Sequence, residues 1–254
     1  MLKVDFRRMF TMPLLYIMVG ICLIIPILIL VMTTMMDGSV SVNPQTGEET
    51  VMEGFDNTWQ IIGTTSDTGS ESAQMEMDML SMCNINMLYF FVAVLVGLFV
   101  TEDFKSGYAK NIFAIRPKKA GYVISKTVVG FVGGTLMLLA FFVGTMLGGA
   151  ISGLSFDLGV ANVGSVIMCM VSKILVVAVF VPIYVLMSVI AKQRTWLSIV
   201  GSLCIGMLLF MMIPMLTPLD SGIMNVVLCL AGGVMFSVGL GAISNQVLKK
   251  TSLV

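Results

Sequence analysis

Few side chains in this sequence could do chemistry, and where they stand limits what chemistry that is. There is no histidine, which removes the commonest general base and the commonest metal ligand together. Five cysteines, Cys22, Cys83, Cys169, Cys204 and Cys229, lie in or beside apolar runs. Their odd number and unpaired spacing give neither a disulfide framework nor a zinc pattern, so they read as small packing residues and no metal is expected. A serine nucleophile would have no histidine to activate it, and no G-x-x-x-x-G-K-[ST] phosphate loop occurs. What remains is electrostatic. One feature is the charged and aromatic stretch Thr101–Lys119; the other is Lys173, the one basic residue more than a turn inside an apolar run.

In the stretch, Phe104, Tyr108, Ile112 and Ile115 recur at four and three residues, the spacing of one helix face. Glu102 and Asp103 stand at the start of that predicted helix, where its dipole favours anions, and Pro117 stops it. Glu102 is placed to pair with Lys105 or Arg116, or to cap the helix. An aromatic-aliphatic face with a basic flank fits two uses. It could lie on the inner leaflet with its cations on anionic lipid, or dock as a coupling element in a groove of a cytoplasmic partner. The residues alone leave these readings level.

The elements that must position this stretch are spans. Of the 254 residues, 57% are hydrophobic and 11% charged, against about 25% charged in a soluble domain, and the mean hydropathy is +1.02. Six runs approach the roughly 20 apolar residues a spanning helix needs: Leu14–Met36, Met87–Val100, Val123–Ile151, Val163–Ala191, Trp196–Leu216 and Ile223–Ser244. Thirteen of the fourteen Lys and Arg residues then share one side, and eleven of the fourteen Asp and Glu residues share the other. By the positive-inside rule the Lys/Arg side is cytoplasmic and both termini lie there. The expectation is an all-α membrane protein of six spans. The whole of 1–254 forms one transmembrane domain, with an interfacial helix over 1–12, an outer loop over 37–82 and a cytoplasmic coupling loop over 101–122. The first run is too long for a signal-peptide core and meets no small-residue cleavage site, so it reads as a retained span. No basic patch argues for nucleic acid.

Smaller features fill this frame. Ser39–Val42 and Glu49–Met52 flank a turn-rich Asn43–Gly47 and predict a small outer hairpin. Ser66–Ser72 reads as flexible, and Met75, Met79 and Met82 as an amphipathic start to the second span. The glycine pairs 130/134, 144/148 and 149/153 allow close helix approach, with packing inside one subunit favoured over a dimer seam. Lys173 could face a translocation path or an acidic partner. Because Ile174–Ala191 is long enough to span by itself, outward snorkelling is the favoured reading.

The stretch resembles the cytoplasmic loop of ABC-2 type ABC transporter permeases. It shares an acidic residue ending the second span (Glu102), then Gly107, Lys110-Asn111, the apolar Ile112–Ile115, Arg116, and Lys126 opening the third span. Pro117-Lys118 departs from the Ser-Arg often found there. Leu2, Phe6, Met9 and Phe10, with Lys3, Arg7 and Arg8, are similar to that family's amphipathic N-terminal helix. The resemblance implies the membrane subunit of a bacterial plasma-membrane exporter, multi-pass and not itself an enzyme. The apolar span surfaces and the lack of an intramembrane acidic relay point to an amphiphilic peptide, antibiotic or lipid-like cargo, in keeping with antimicrobial peptide resistance. The resemblance implies a second permease, identical or paralogous, and two ATP-binding subunits that carry the ATP and Mg. It also implies coupling through Phe104, Tyr108, Lys110, Asn111, Ile112, Phe113 and Arg116, with Glu102, Asp103 and Lys126 structural at the inner interface. An ATP-independent channel, receptor or secondary carrier is the alternative; such carriers commonly bury charges at mid-membrane, and here Lys173 alone qualifies.

Overall fold

A computed structural model describes residues 1–38, 40–42, 49–51, 54–55, 57–63, 84–115, 119–158, 162–210 and 212–250. The predicted outer helix near Met75 and the flexible Ser66–Ser72 lie outside these residues, as does Arg116.

Helix α1 (Leu2–Thr11) ends where Met12 turns extended, because Pro13 bars the preceding residue from helical backbone. Pro13 then opens α2 (Pro13–Met36) at a position where its missing N–H costs nothing. Helix α3 (Leu88–Lys105) follows a 3-10 turn, Ile85–Met87, whose start is capped by the Asn84 side chain accepting from the Asn86 N–H at 3.0 Å. After α4 (Tyr108–Ile115) come two long helices, α5 (Ala120–Ser152) and α6 (Val163–Ala191). Gly153, at φ +70°, closes α5. The chain then forms α7 (Thr195–Phe210), the four-residue α8 (Ile213–Leu216) and α9 (Ile223–Lys250).

Five of these helices, α2, α3, α5, α6 and α9, are long and apolar enough to cross a membrane. The run expected as one span over Trp196–Leu216 is instead divided between α7, 16 residues long, and α8. At 1.5 Å per residue α7 is about 24 Å long, short of the roughly 30 Å hydrocarbon core. Pro214 lies in the first turn of α8, so its ring fits the start of a new helix and not the continuation of α7.

Helices α3 and α6 form the centre. Tyr89 stacks on Phe180 at 4.9 Å between ring centres, and the Tyr184 hydroxyl donates to the Tyr89 carbonyl at 3.0 Å. Glycines line the seams around this core. A Cβ on Gly134 would sit 2.7 Å from Val177 Cγ1 on α6, and one on Gly148 would sit 2.9 Å from Ile27 Cα on α2. Both 130/134 and 144/148 therefore serve packing inside the subunit. Helix α9 rests on α6, where Ser237 Oγ donates to the Ala178 carbonyl at 3.2 Å, and leaves its other face exposed.

The two ends of the bundle differ. At one end α1 meets the end of α3, where Arg8 pairs with Asp103, and the end of α9 meets the start of α5, where Lys119 Nζ donates to the Leu248 carbonyl at 2.6 Å. The start of α7 lies at this end too, with the Thr101 hydroxyl 3.4 Å from that of Thr195. At the far end β1 (Val40–Val42) and β2 (Glu49–Val51) pair antiparallel, Ser41 opposite Thr50, as the hairpin pattern predicts. Also at this end, Trp59 lies against Phe142 and Phe156, its indole N–H donating to the Phe156 carbonyl at 3.1 Å.

Candidate functional site

The site begins with a break in a helix. Glu102, Asp103 and Phe104 belong to the last turn of α3, not to the start of the loop helix as the periodicity implied. Ser106 ends α3 by directing both its N–H and its hydroxyl to the Glu102 carbonyl, at 2.9 and 2.7 Å. Gly107 then takes φ +75°, a conformation that suits a residue without Cβ, and α4 starts afresh at Tyr108. Asp103 is thereby turned into the bundle while Glu102 faces out, exposed.

Around Asp103 four charges close on one another. Lys126 Nζ lies 2.7 Å from Asp103 Oδ2 and 3.0 Å from Asp5 Oδ1, all three side chains having no exposure. Arg8 Nη1 pairs with Asp103 Oδ1 at 2.7 Å. Two hydroxyls add to these pairs, one on an oxygen that Lys126 already holds and one on the last free carboxylate oxygen. Tyr122 donates its hydroxyl to Asp103 Oδ2 at 3.0 Å, and Ser125 donates to Asp5 Oδ2 at 2.5 Å. Two aromatic faces complete the surroundings, Phe99 with Lys126 Nζ 3.9 Å from its centre and Tyr108 with the Arg8 guanidinium at 4.0 Å. Burial works against the Arg8 charge, yet the charge of Asp103 and its hydrogen bond outweigh it and raise the pKa. Burial, then the charge of Asp5, raises the Tyr108 phenol, against the pull of Arg8. A buried charge needs pairing and hydrogen bonds to be tolerated; here two anions and two cations supply both, so the cluster is neutral. It is a joint of α1, α3, α4 and α5.

Helix α4 is held against this joint by one face. Ala109 is buried, and Phe113 meets Tyr122 edge-on at 5.2 Å, with Lys119 Nζ 5.4 Å from its ring. Phe104, from α3, meets the same Tyr122 ring at 6.2 Å. The other face is open: Lys110, Asn111, Ala114 and Ile115 are exposed and Ile112 is half-buried. Met1 and Val4 of α1 join Tyr108, Ile112 and Ile115 around a shallow apolar hollow. Of the residues singled out from the sequence, the structure thus brings together Phe104, Tyr108, Phe113, Asp103 and Lys126, with Ile112 on the hollow. Lys110 and Asn111 point away. Lys173 lies in the half of α6 nearer the far end and does not snorkel to water: its side chain is fully buried, with Nζ 3.0 Å from both Asn86 Oδ1 and Thr217 Oγ1.

Sequence reasoning missed Asp5, Tyr122 and Ser125. A signal for Asp5 existed: it shares the buried stripe of α1 with Met9, four residues on, and a carboxylate on an apolar stripe calls for a buried cation. Among the described residues no group of three or more Cys, Asp or Glu side chains converges to hold a metal.

Residues 12–213 match the sequence model of the ABC-2 family transporter protein, a span that takes in α2 to α7 and leaves α1 and α9 outside. No curated protein and no solved structure matches the chain. A match over most of the length, together with apolar helices long enough to cross a bilayer, settles the family: the chain belongs to the ABC-2 transporters and is a multi-pass membrane protein of that family.

Proposed function

We propose that this chain is the permease subunit of an ATP-driven exporter in a bacterial plasma membrane. Its cargo is an amphiphilic peptide, antibiotic or lipid-like molecule, whose export protects the cell. It works with a second permease, identical or related, and with two ATP-binding subunits that hold the ATP and Mg. Six crossings with both ends in the cytoplasm fit the contacts at the two bundle ends. Helix α7 starts beside Thr101, and the segment after α8 reaches Lys173 in the opposite half of the bundle, which supports reading α7 and α8 together as one traverse. The Lys- and Arg-rich end faces the cytoplasm.

One observation carries the reading. Helix α4 is anchored by Tyr108, Ala109 and Phe113 to a buried ionic joint, while Ile115, 80% exposed, and its neighbours remain free for a partner. Such a helix can receive a push and pass it to α1, α3 and α5. The test is copurification of the full-length chain with its ATP-binding subunit. Ile112→Glu with Ile115→Glu abolishes copurification and leaves thermal stability near that of the unsubstituted protein. Undiminished copurification sinks the docking role of α4, and labelling of Ala114→Cys by an impermeant maleimide from outside the cell sinks the orientation.

A further inference from the structure

Lys173 is solvated unlike Lys126, the other fully buried lysine among the described residues. It is the eleventh residue of α6, roughly 15 Å along the helix from its first residue. Its two acceptors, Asn86 Oδ1 and Thr217 Oγ1, are neutral. The Thr217 hydroxyl gives its own proton to the Ile213 carbonyl at 2.8 Å, which leaves its oxygen free to accept. None of the ion pairs among the described residues involves Lys173, whereas Lys126 has two carboxylates. An amide and a hydroxyl spread an ammonium charge without cancelling it, and an unneutralised buried ion is costly to keep out of water. A lysine also has three N–H donors, of which two are used here.

The cover over this amine is thin. Thr217 follows α8, four residues set off from both neighbouring helices, and is buried, while Leu216 and Met212 are exposed on the surface of the same segment. Asn86 likewise belongs to a short 3-10 turn and not to a long helix. Both acceptors thus sit on short connecting elements, and Thr217 directly follows the exposed Leu216 in sequence.

We infer that Lys173 is an anion-recognition site, at which the phosphate or carboxylate head of an amphiphile passes under α8 and replaces Asn86 and Thr217 as the acceptors of the ammonium. That the ligand is cargo rests on the transport reading above; the site itself does not. An anionic head on an apolar body matches an ammonium enclosed by apolar helices, and the exchange swaps two neutral acceptors for a charge-assisted pair.

The probes are dioctanoyl phosphatidic acid, uncharged dioctanoylglycerol and inorganic phosphate, each titrated against the full-length chain in dodecyl maltoside while the unfolding temperature is read. Dioctanoyl phosphatidic acid raises it saturably and dioctanoylglycerol does not. Lys173→Gln weakens the midpoint about tenfold or more, since a hydrogen bond to a charged group contributes about 1.5–3 kcal/mol. Saturable stabilisation by inorganic phosphate alone, lost in Lys173→Gln, supports the site and makes the free anion its ligand. Should Lys173→Gln fail to fold, Thr217→Val serves: it removes a competing acceptor and tightens the phosphatidic acid midpoint, whereas a lysine acting only as a strut loses stability with no change in that midpoint. Equal midpoints in the unsubstituted and Lys173→Gln proteins, or equal stabilisation by dioctanoylglycerol, overturn the inference. Copurification with the ATP-binding subunit is read on the same variants; loss of the anion response with copurification intact separates this site from docking at α4.

Discussion

Lys126→Met tests whether the ionic joint is one unit. The ammonium bridges Asp5 at 3.0 Å and Asp103 at 2.7 Å with no exposure on any of the three side chains. Without it Arg8 still holds Asp103 at 2.7 Å, but Asp5 keeps only the Ser125 hydroxyl. A carboxylate is then stranded in the interior. Removing one partner of a buried pair costs about 3–5 kcal/mol, mostly from the charge left behind. At about 2–4 °C per kcal/mol for a chain of this size, the unfolding midpoint drops by roughly 10 °C. The second arm of the cycle is sharper. Asp5→Asn with Lys126→Met leaves one anion and one cation, Asp103 and Arg8, already in contact. The double variant is therefore more stable than Lys126→Met alone by about 2 kcal/mol, the size of coupling seen inside one charge network. Labelling of the buried thiols Cys22, Cys169 and Cys229 during heating in detergent reports the unfolding. Losses that simply add would refute the neutral-unit argument, as would a Lys126→Met protein that melts with the original.

The same thermal assay checks two further expectations. Gly148→Ala loses about 1–3 kcal/mol, because the new Cβ meets Ile27 Cα at 2.9 Å and the Pro26 carbonyl at 3.3 Å and a backbone cannot rotate aside, whereas Gly20→Ala, with nothing within 4 Å, gains stability. Lys192→Gly gains about 1 kcal/mol, since Lys192 closes α6 at φ 54° and ψ −109°, backbone that a side chain disfavours.

Much of the architecture was readable because apolarity and helical periodicity report directly on burial. The span Val163–Ala191 has the bounds read from its sequence, and the two strands pair within the segments read as flanking a turn. Breaks were harder. Phe104 and Tyr108 keep a four-residue spacing across Gly107, so the pattern continued through a point where the backbone does not. Apolarity runs equally smoothly from Trp196 to Leu216, although the chain ends one helix and starts another within it. For Lys173 the length of Ile174–Ala191 decided the reading, but length says nothing about the amide and hydroxyl that Asn86 and Thr217 bring from elsewhere in the sequence.

Asp5 shows what a reading of one helix at a time leaves out, and what its position adds. As a surface helix α1 would need only an apolar face for lipid and a basic face for headgroups; instead it carries a carboxylate into the bundle. The charges divide evenly between the joined parts. Helix α1 contributes one anion and one cation, Asp5 and Arg8, and the ends of α3 and α5 contribute Asp103 and Lys126. Each part is neutral alone. Asp5 and Arg8 are three residues apart, within reach of each other along a helix, and Asp103 and Lys126 are already in contact at 2.7 Å. Separation of α1 from the bundle therefore trades pairs between parts for pairs within parts and strands no charge. A fixed core gains nothing from such symmetry. Under the coupling role proposed for α4 the symmetry has a use, because a joint that passes on a push and resets keeps its buried ions paired in each position.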